Sequence, residues 1–491
     1  MSTTLNPEDN RILQLYATRS MNKLIWLYCL LLIISCDTRP TSAPPNVLWI
    51  MVDDLNSWVG YLKGHPQTLT PNIDRLAARG MAFHNAHTNS PLCGPSRASM
   101  LTGLLPSSTG IYFHIQDTEL VPHTEQEQIT LLPYYFQQQG YRTLAVGKIF
   151  HNGDRAGVFD EYGGLSNFGP RPEERFNYDP EWFDKPRGTS TDWGVFPSHD
   201  TLTFDHRIAD WAIGRLEENH ESPFLLAAGF MRPHVPWYVP QKWFDAFPLD
   251  QVALPPYDSK DWEDLPPVAK EMTYWPMMPE MDWMLEEDRW REAVQAYLAS
   301  VHFVDHQIGR LLDALERSLY ADNTIIVLAS DHGYHVGEKG LFQKGTLWRR
   351  SKQIPMIWAG PGIEAGSTME PASLLDIYPT LADWCGEEVP DHLQGQSVAP
   401  ILTGEKSTIN NAAITTFGPG NHSVYSPEWH LIQYDNGAQE LYHLAEDPNE
   451  WRNVAGSENE LIIRELVAKL PAQEAPNLPQ SAFGAAPYFN R

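Results

Sequence analysis

The chain has 491 residues, 42% of them hydrophobic and 11% aromatic, enough to bury a large core and, by the usual size relation, to fold as two or three domains. Its 35 Lys and Arg face 62 Asp and Glu, a formal net charge of -27, with no basic run longer than Arg349-Arg350. That balance excludes a nucleic-acid partner, and an anionic ligand would need cations gathered locally.

In chain order, Leu24 to Ile34 is an apolar stretch after Asn22-Lys23. It is too short to span a bilayer and suits the apolar region of a secretion signal, the alternative being a buried N-terminal helix. It ends in Ile33-Ile34-Ser35-Cys36, which resembles a bacterial lipobox, whose cysteine is lipidated and becomes the mature N-terminus. The polar segment Met1 to Ser20 is not needed by a signal, so Met21 is the expected start. The expected product is an exported lipoprotein, periplasmic or at the cell surface, touching membrane only through lipid on Cys36. Asp37 to Pro45, rich in Thr, Ser and Pro, reads as a tether.

Beyond it, apolar runs end in polar clusters. Asn46 to Val52 leads to Asp53-Asp54, and Tyr141 to Val146 leads to Gly147-Lys148-Ile-Phe-His151. Pro223 to Gly229 leads to Arg232-Pro-His234, and Thr324 to Ala329 leads to Ser330-Asp-His-Gly333. Such runs read as strands buried on both faces. Helical patterns lie between them: Thr70-Pro71 to Gly80, with Thr70 as the expected N-cap, and Arg289 to Leu319. Strands alternating with helices predict an α/β fold, a mainly parallel mixed sheet sandwiched by helices. Its ligands bind beyond the carboxyl ends of the strands, where all four clusters fall. Asp53, Asp54 and Asp331 are three carboxylates that share a dry site only with a cation, and a hard divalent ion is the simplest; His332 suits zinc better than calcium.

Cys93 opens Cys93-Gly-Pro-Ser-Arg97, with Pro95 suited to a first helical turn. A thiol there lies beside free backbone N–H groups, with Arg97 one turn along. A thiolate in that setting is reactive, which suits a Cys-dependent phosphatase or a redox site; a lone cysteine is otherwise small buried packing.

The run Ser90-Pro-Leu-Cys-Gly-Pro-Ser-Arg-Ala-Ser-Met-Leu-Thr-Gly103 resembles the signature of type I sulfatases of the alkaline phosphatase superfamily. Asn46 to Asp54, Thr70 to Gly80, Gly147 to His151, Arg232-Pro-His-Val-Pro236, Ser330 to Gly333 and Glu440 to Asn453 follow in that family's order. Lys148-x-x-His151, Pro-His-Val-Pro and Ser-Asp-His-Gly look most like the iduronate-2-sulfatase group.

The resemblance implies that Cys93 is oxidised to formylglycine by a formylglycine-generating or sulfatase-maturing enzyme. Its hydrate would attack sulfur with one hydroxyl and expel sulfate through the other. It implies one calcium ion held by Asp53, Asp54, Asp331, His332 and converted Cys93. Arg97 and Lys148 would orient the hydrate, His151 would act as base, and His234 and Lys344 would serve the leaving alcohol. With Cys29 removed, Cys36 acylated and Cys93 converted, only Cys385 remains and no disulfide is expected.

His114, Arg232 and Arg349 are candidate contacts to a sugar carboxylate or hydroxyl, with Trp237, Tyr238 and Trp348 close by in sequence. The expected substrate is an oligosaccharide from a sulfated polysaccharide. The other readings are a formylglycine-dependent phosphonate or phosphodiester hydrolase and a non-catalytic glycan-binding surface lipoprotein. The expected division is residues 1–45 as leader and tether, 46–400 as catalytic domain and 401–491 as a C-terminal α+β subdomain with a short antiparallel sheet. Asp261 to Trp290 reads as an insertion at the pocket rim.

Overall fold

Every residue of Asn46–Val52 is buried, so this strand needs cover on both faces. In the computed structural model, which describes residues 44–177, 189–275, 278–386, 388–409, 412–481 and 487–490, it lies inside an eight-stranded sheet. Leu24 to Ile34 and Cys36 lie outside the described residues. In chain order the strands are β1 (Asn46–Val52), β2 (Met81–Phe83), β3 (Arg142–Gly147), β4 (Glu161–Tyr162), β5 (Phe224–Phe230), β6 (Thr324–Ser330), β7 (Met356–Ala359) and β8 (Gly366–Thr368). They are arranged β8-β2-β7-β6-β1-β5-β3-β4. Only β7 runs antiparallel to its neighbours, so the sheet is mainly parallel as expected.

Alternate residues of β1 enter separate cores. Leu48, Ile50 and Val52 pack with α1 (Pro71–Arg79), α4 (Phe204–Leu216) and α5 (Trp290–Arg317). Val47, Trp49 and Met51 pack with α2 (Cys93–Thr102), α3 (Leu132–Gln138) and α6 (Ile377–Trp384). The sandwich therefore follows from one strand with no polar face. Boundaries depart from the sequence reading by about one residue, because β3 starts at Arg142 and β5 at Phe224, past the residues that open each apolar run.

A second sheet of β9 (Ala413–Thr416), β10 (His422–Tyr425), β11 (Trp429–Gln433) and β12 (Gln439–His443) is antiparallel throughout. Helix α7 (Glu460–Val467) packs on it through Leu466. Ile432 and Tyr442 of this sheet share a core with Leu92, Tyr112 and Trp348, so it buttresses the chain immediately before Cys93.

The start of α1 differs from the sequence reading. Thr70 makes no cap; its hydroxyl accepts from Gly60 N at 2.8 Å. The N–H groups of Asn72 and Ile73 donate instead to Asp305 of α5, at 3.1 and 2.8 Å. Burial pushes the Asp305 carboxyl up to about 6 from 3.8, against the pull of those donors. Asp305→Ala should cost about 1–3 kcal/mol in denaturant unfolding, because it leaves buried donors unmet. A folded-state value above the unfolded one contributes stability below pH 3.8 that is lost as pH rises through about 6. Asp305→Asn should therefore gain on wild type as pH rises across that window.

Candidate active site

The parallel strands end in register, which sets their next residues side by side. Val52 pairs with Ser330 and Phe230, and the ladder continues one step: Asp53 N donates to Phe230 O and Asp331 N to Val52 O, both at 3.1 Å. Lys148 N donates to Gly229 O at 2.9 Å beyond the Gly147–Gly229 pair. Gly147 has φ 76°, and a Cβ there would meet Gly229 O at 2.1 Å, so only glycine lets β3 turn Lys148 inward. Asp54 also lies in the left-handed region, at φ 62°. Its N–H donates to Asp331 Oδ1 at 3.2 Å and its carbonyl accepts from Tyr297 OH at 2.8 Å, while Leu55 N donates to Ser330 Oγ at 3.0 Å. These bonds hold a conformation costing on the order of 1 kcal/mol for an L-residue. Sequence alone does not single out Tyr297, which is one aromatic of a long helix.

Cys93 is the first residue of α2, a helix buried along its whole length. Ser96 Oγ donates to Asp331 O at 2.6 Å, fixing the first turn to the end of β6. Arg97, 1% exposed, spans the carboxylates: Nε donates to Asp331 Oδ2 at 2.9 Å and Nη2 is 3.5 Å from Asp53 Oδ1. Its Nη1 donates to the carbonyls of Lys148 and Ile149. Arg97 is thus a bracket between α2, β1, β3 and β6.

The other polar groups close around Cys93. Lys148 Nζ donates to Asp53 Oδ2 at 2.6 Å, and Lys344 Nζ donates to Asp54 Oδ1 at 2.8 Å and Cys93 Sγ at 2.9 Å. His332 Nε2 is 3.2 Å from Cys93 Sγ and 3.4 Å from Asp54 Oδ1, and His234 Nε2 is 3.8 Å from Asp54 Oδ2. The Nδ1–H of His332 donates to Gly333 O at 3.0 Å and that of His234 to Val235 O at 2.6 Å, so each turns Nε2 toward the cluster. His151 hydrogen-bonds the Cys93 side chain and stacks on His114, ring centroids 4.0 Å apart. His114 Nδ1 accepts from Gly94 N at 3.1 Å, and a Cβ on Gly94 would lie 2.6 Å from that nitrogen.

Electrostatics follow from this packing. Burial alone would raise the Cys93 thiol, but Lys148, Lys344 and His332 hold it well below its ordinary value. Burial lowers His332, yet Asp331 and the Cys93 thiolate lift it to about 9. Burial keeps His151 below its usual value and His114 well below. Burial pushes Asp331 up to about 6 against Arg97, whereas Lys148 and His234 outweigh burial at Asp53 and hold it low.

Thirteen of the fourteen sequence candidates for site residues lie among the described residues and divide between the cluster and its surroundings. Asp53, Asp54, Cys93, Arg97, His114, Lys148, His151, His234, Asp331, His332 and Lys344 lie together, as the distances above show. Arg232 and Arg349 do not join them. Arg232 turns its guanidinium onto the carbonyls of Tyr238 and His234, at 3.2 and 3.3 Å. Arg349 donates to Gln353 Oε1 at 3.0 Å and lines a separate cavity of about 390 Å³ with Lys63, Arg350 and Trp451. Cys36 is outside the described residues.

Asp53 Oδ1 and Asp54 Oδ2 are buried without a hydrogen-bond partner. Ligand atoms of Asp53, Asp54, Cys93 and His234, and of Asp53, Cys93, Asp331 and His332, lie within 4.8 Å of one another in two overlapping sets. Buried carboxylate oxygens that accept no hydrogen bond, gathered with other ligand atoms in a dry cluster, fit a divalent cation.

An α/β sandwich with a buried cysteine at a helix N-terminus, ringed by strand-end carboxylates, lysines and histidines, is an arrangement suited to hydrolysing an anionic ester. The family model Sulfatase matches residues 45–387, and the model N-sulphoglucosamine sulphohydrolase, C-terminal, matches residues 337–475. A sulfatase of Formosa agariphila is 44% identical, covering 91% of this chain and 90% of that protein. The choline-sulfatase of Rhizobium meliloti is 30% identical, covering 91% and 89%, and the iduronate 2-sulfatase of Homo sapiens is 30% identical, covering 76% of each. The solved structure of a 2-O GAG sulfatase superposes with a TM-score of 0.67 at 23% identity, covering 87% of this chain and 90% of that one. The chain belongs to the sulfatase family, type I, of the alkaline phosphatase superfamily, and is a sulfuric ester hydrolase.

Stripping divalent cations with a chelator should lower the thermal midpoint, and returning them should restore it. A cation at a hundred times its Kd stabilises by about 2.7 kcal/mol. Asp54→Asn should melt without responding to either treatment; a full response in that variant would show that this carboxylate is not a ligand.

Proposed function

We propose that this enzyme removes sulfate from saccharides derived from a sulfated polysaccharide, using a formylglycine made from Cys93 by a maturing enzyme. The observation that carries this reading is the setting of Cys93. It is 1% exposed, opens a buried helix, and lies 2.9 Å from Lys344 Nζ and 3.2 Å from His332 Nε2 beside two bare carboxylate oxygens. The saccharide class is supported by the similarity to iduronate 2-sulfatase and by the C-terminal match to N-sulphoglucosamine sulphohydrolase.

Asp53, Asp54, Asp331 and His332, with converted residue 93, would hold one calcium ion. Hydrated formylglycine supplies an oxygen nucleophile with a second hydroxyl for releasing sulfate, and calcium supplies a Lewis acid. The protein's own groups do the rest. Arg97 is held in place by Nε on Asp331 and Nη1 on the carbonyls of Lys148 and Ile149, which leaves Nη2, buried without a hydrogen-bond partner, to orient the hydrate. Lys148, paired with Asp53, keeps a cation beside residue 93. His151 hydrogen-bonds that residue and is kept below its usual pKa by burial, so it is free to accept a proton there at neutral pH. His234, with Nδ1–H fixed on Val235 O, presents Nε2 on the Asp54 side, and as the imidazolium it would give the Nε2 proton to the leaving oxygen and become neutral. Lys344 bridges the two sides as a fixed cation.

The apolar stretch before Cys36 supports export as a lipoprotein, bound to membrane through lipid on that residue. Cys36→Ser should then move the protein from the membrane fraction to the soluble one.

Peptide mass spectrometry across Cys93, with protein from a host able to make formylglycine, should find that the residue has lost its sulfur. An unmodified thiol in active enzyme would refute the mechanism. Ion chromatography should detect sulfate released from sulfated mono- and disaccharides, and phosphodiesters should react more slowly. His234→Ala should lower turnover of sugar sulfates about 10²–10⁴-fold. It should change 4-nitrophenyl sulfate far less, since that leaving group departs without a proton.

A further inference from the structure

The segment that follows β4 packs beside His234 and is tied down at both ends. Gly163 N donates to Ala145 O and Gly147 N to Gly164 O, each at 2.8 Å. Phe176 N and Asn177 N donate to the two oxygens of Asp192, at 3.0 and 2.9 Å. Between these anchors Asn167 Oδ1 accepts from Gly169 N at 3.0 Å, and the Phe168 ring lies against His234, centroids 5.0 Å apart. The Arg171 guanidinium lies over the Phe168 ring, 5.1 Å from its centroid. Arg171, Phe168, His234 and Asp54 thus form a continuous row from solvent to the buried carboxylates, on the side where the leaving oxygen needs its proton.

Arg171 is exposed, and among the described residues it has no hydrogen-bond or ion-pair partner, although Glu173 and Glu174 follow within the next turn of chain. It is close enough to the buried Arg232 for the two cations to oppose each other. In a chain of net charge -27, a guanidinium held on an aromatic face beside a second arginine, with no polar partner among the described residues, needs a reason. A ring-stacked guanidinium keeps its donor edge free, gives up little rotational freedom on binding, and matches a carboxylate or sulfate bidentately.

We propose that Arg171, presented by Phe168, determines specificity by binding a second anionic group on the leaving-alcohol side, a carboxylate or another sulfate on the same or the neighbouring sugar. This rests on the sulfated-saccharide reading above and narrows it to polyanionic glycans. A cationic leaving group such as choline would be brought against the same guanidinium and disfavoured, despite the similarity to choline-sulfatase.

The test compares kcat/KM for three substrate types by ion chromatography of released sulfate: sugar sulfates bearing a uronate or a second sulfate, matched neutral sugar sulfates, and choline sulfate. Wild type should prefer the acidic members, with choline sulfate poorest, and the preference should shrink as salt rises. Arg171→Gln should lower kcat/KM for the acidic members by about ten- to a hundredfold, the usual worth of a charge-assisted contact, and leave the neutral ones unchanged. Phe168→Leu should shift the ratio the same way, with an unchanged thermal midpoint in both variants confirming that they fold. An equal loss on acidic and neutral substrates, or a wild-type preference for neutral sugars or choline sulfate, would overturn the proposal. Release from 4-nitrophenyl sulfate but from no sugar would instead overturn the saccharide reading on which it rests, and the proposal with it.

Discussion

Asp53, Asp54 and Asp331 are wholly buried at adjoining strand ends, and three carboxylates that close cannot stay ionised in a protein interior without cations equally close. At an effective dielectric near 20, two charges about 4 Å apart interact by roughly 4 kcal/mol, so each misplaced partner is felt strongly. Arg97, Lys148 and Lys344 meet this demand from different parts of the chain, and much of the architecture serves to bring them there. Helix α2 is buried along its whole length with Arg97 inside it. Lys148 requires the glycine turn after β3. Lys344 requires a loop that folds back over the sheet, and Gln343 Nε2 anchors that loop to Thr273 O at 2.8 Å while Trp262 Nε1 bonds Lys339 O at 2.8 Å. The stretch from Asp261 is therefore a support for the Lys344 loop.

The C-terminal sheet extends the same support. Lys339 Nζ donates to Asp261 and to Glu450 O, and Glu450 in turn accepts from Arg349 N and Tyr425 OH. His430 Nδ1 is 2.6 Å from Glu450 Oε1, and burial together with Lys352 keeps His430 down at about 4. A buried network of this kind is worth having only when every member is satisfied, and here it fastens the turn before β7 to the second sheet. Packing of Ile432 and Tyr442 against Leu92 completes the path from that sheet to the approach to Cys93.

Sequence made the strand ends legible because a run buried on both faces has no polar residue until it leaves the sheet. In-register parallel pairing then sets Asp53, Lys148 and Asp331 side by side without further information. Features depending on distant chain segments were not legible. Thr70 has the side chain of an N-cap, yet Asp305 takes the donors from a helix more than two hundred residues away. Arg232 and Arg349 stand near site residues in sequence, but their guanidinium groups are used by local carbonyls and by Gln353. Sequence proximity locates a Cα and says little about where a long side chain ends. Phe168 and Arg171 belong to no motif, and only contact with His234 draws attention to them.

The acidity of the chain and the anionic character of its substrate are reconciled by counting charge inside the cluster. Arg97, Lys148 and Lys344 match the three carboxylates, and the His332 cation matches the Cys93 thiolate, so the cluster's own groups leave no net attraction for sulfate. A divalent ion bound to the bare oxygens of Asp53 and Asp54 would tip the cluster to net positive. Cation and sulfate ester then each raise the other's affinity by the same factor, as linkage requires. The protein need not carry a basic surface: the attraction resides at depth, where the effective dielectric is low and salt screens little. Arg171 is the exception, an exposed cation whose attraction solvent does screen, which suits it to choosing among anionic substrates more than to holding the sulfate itself.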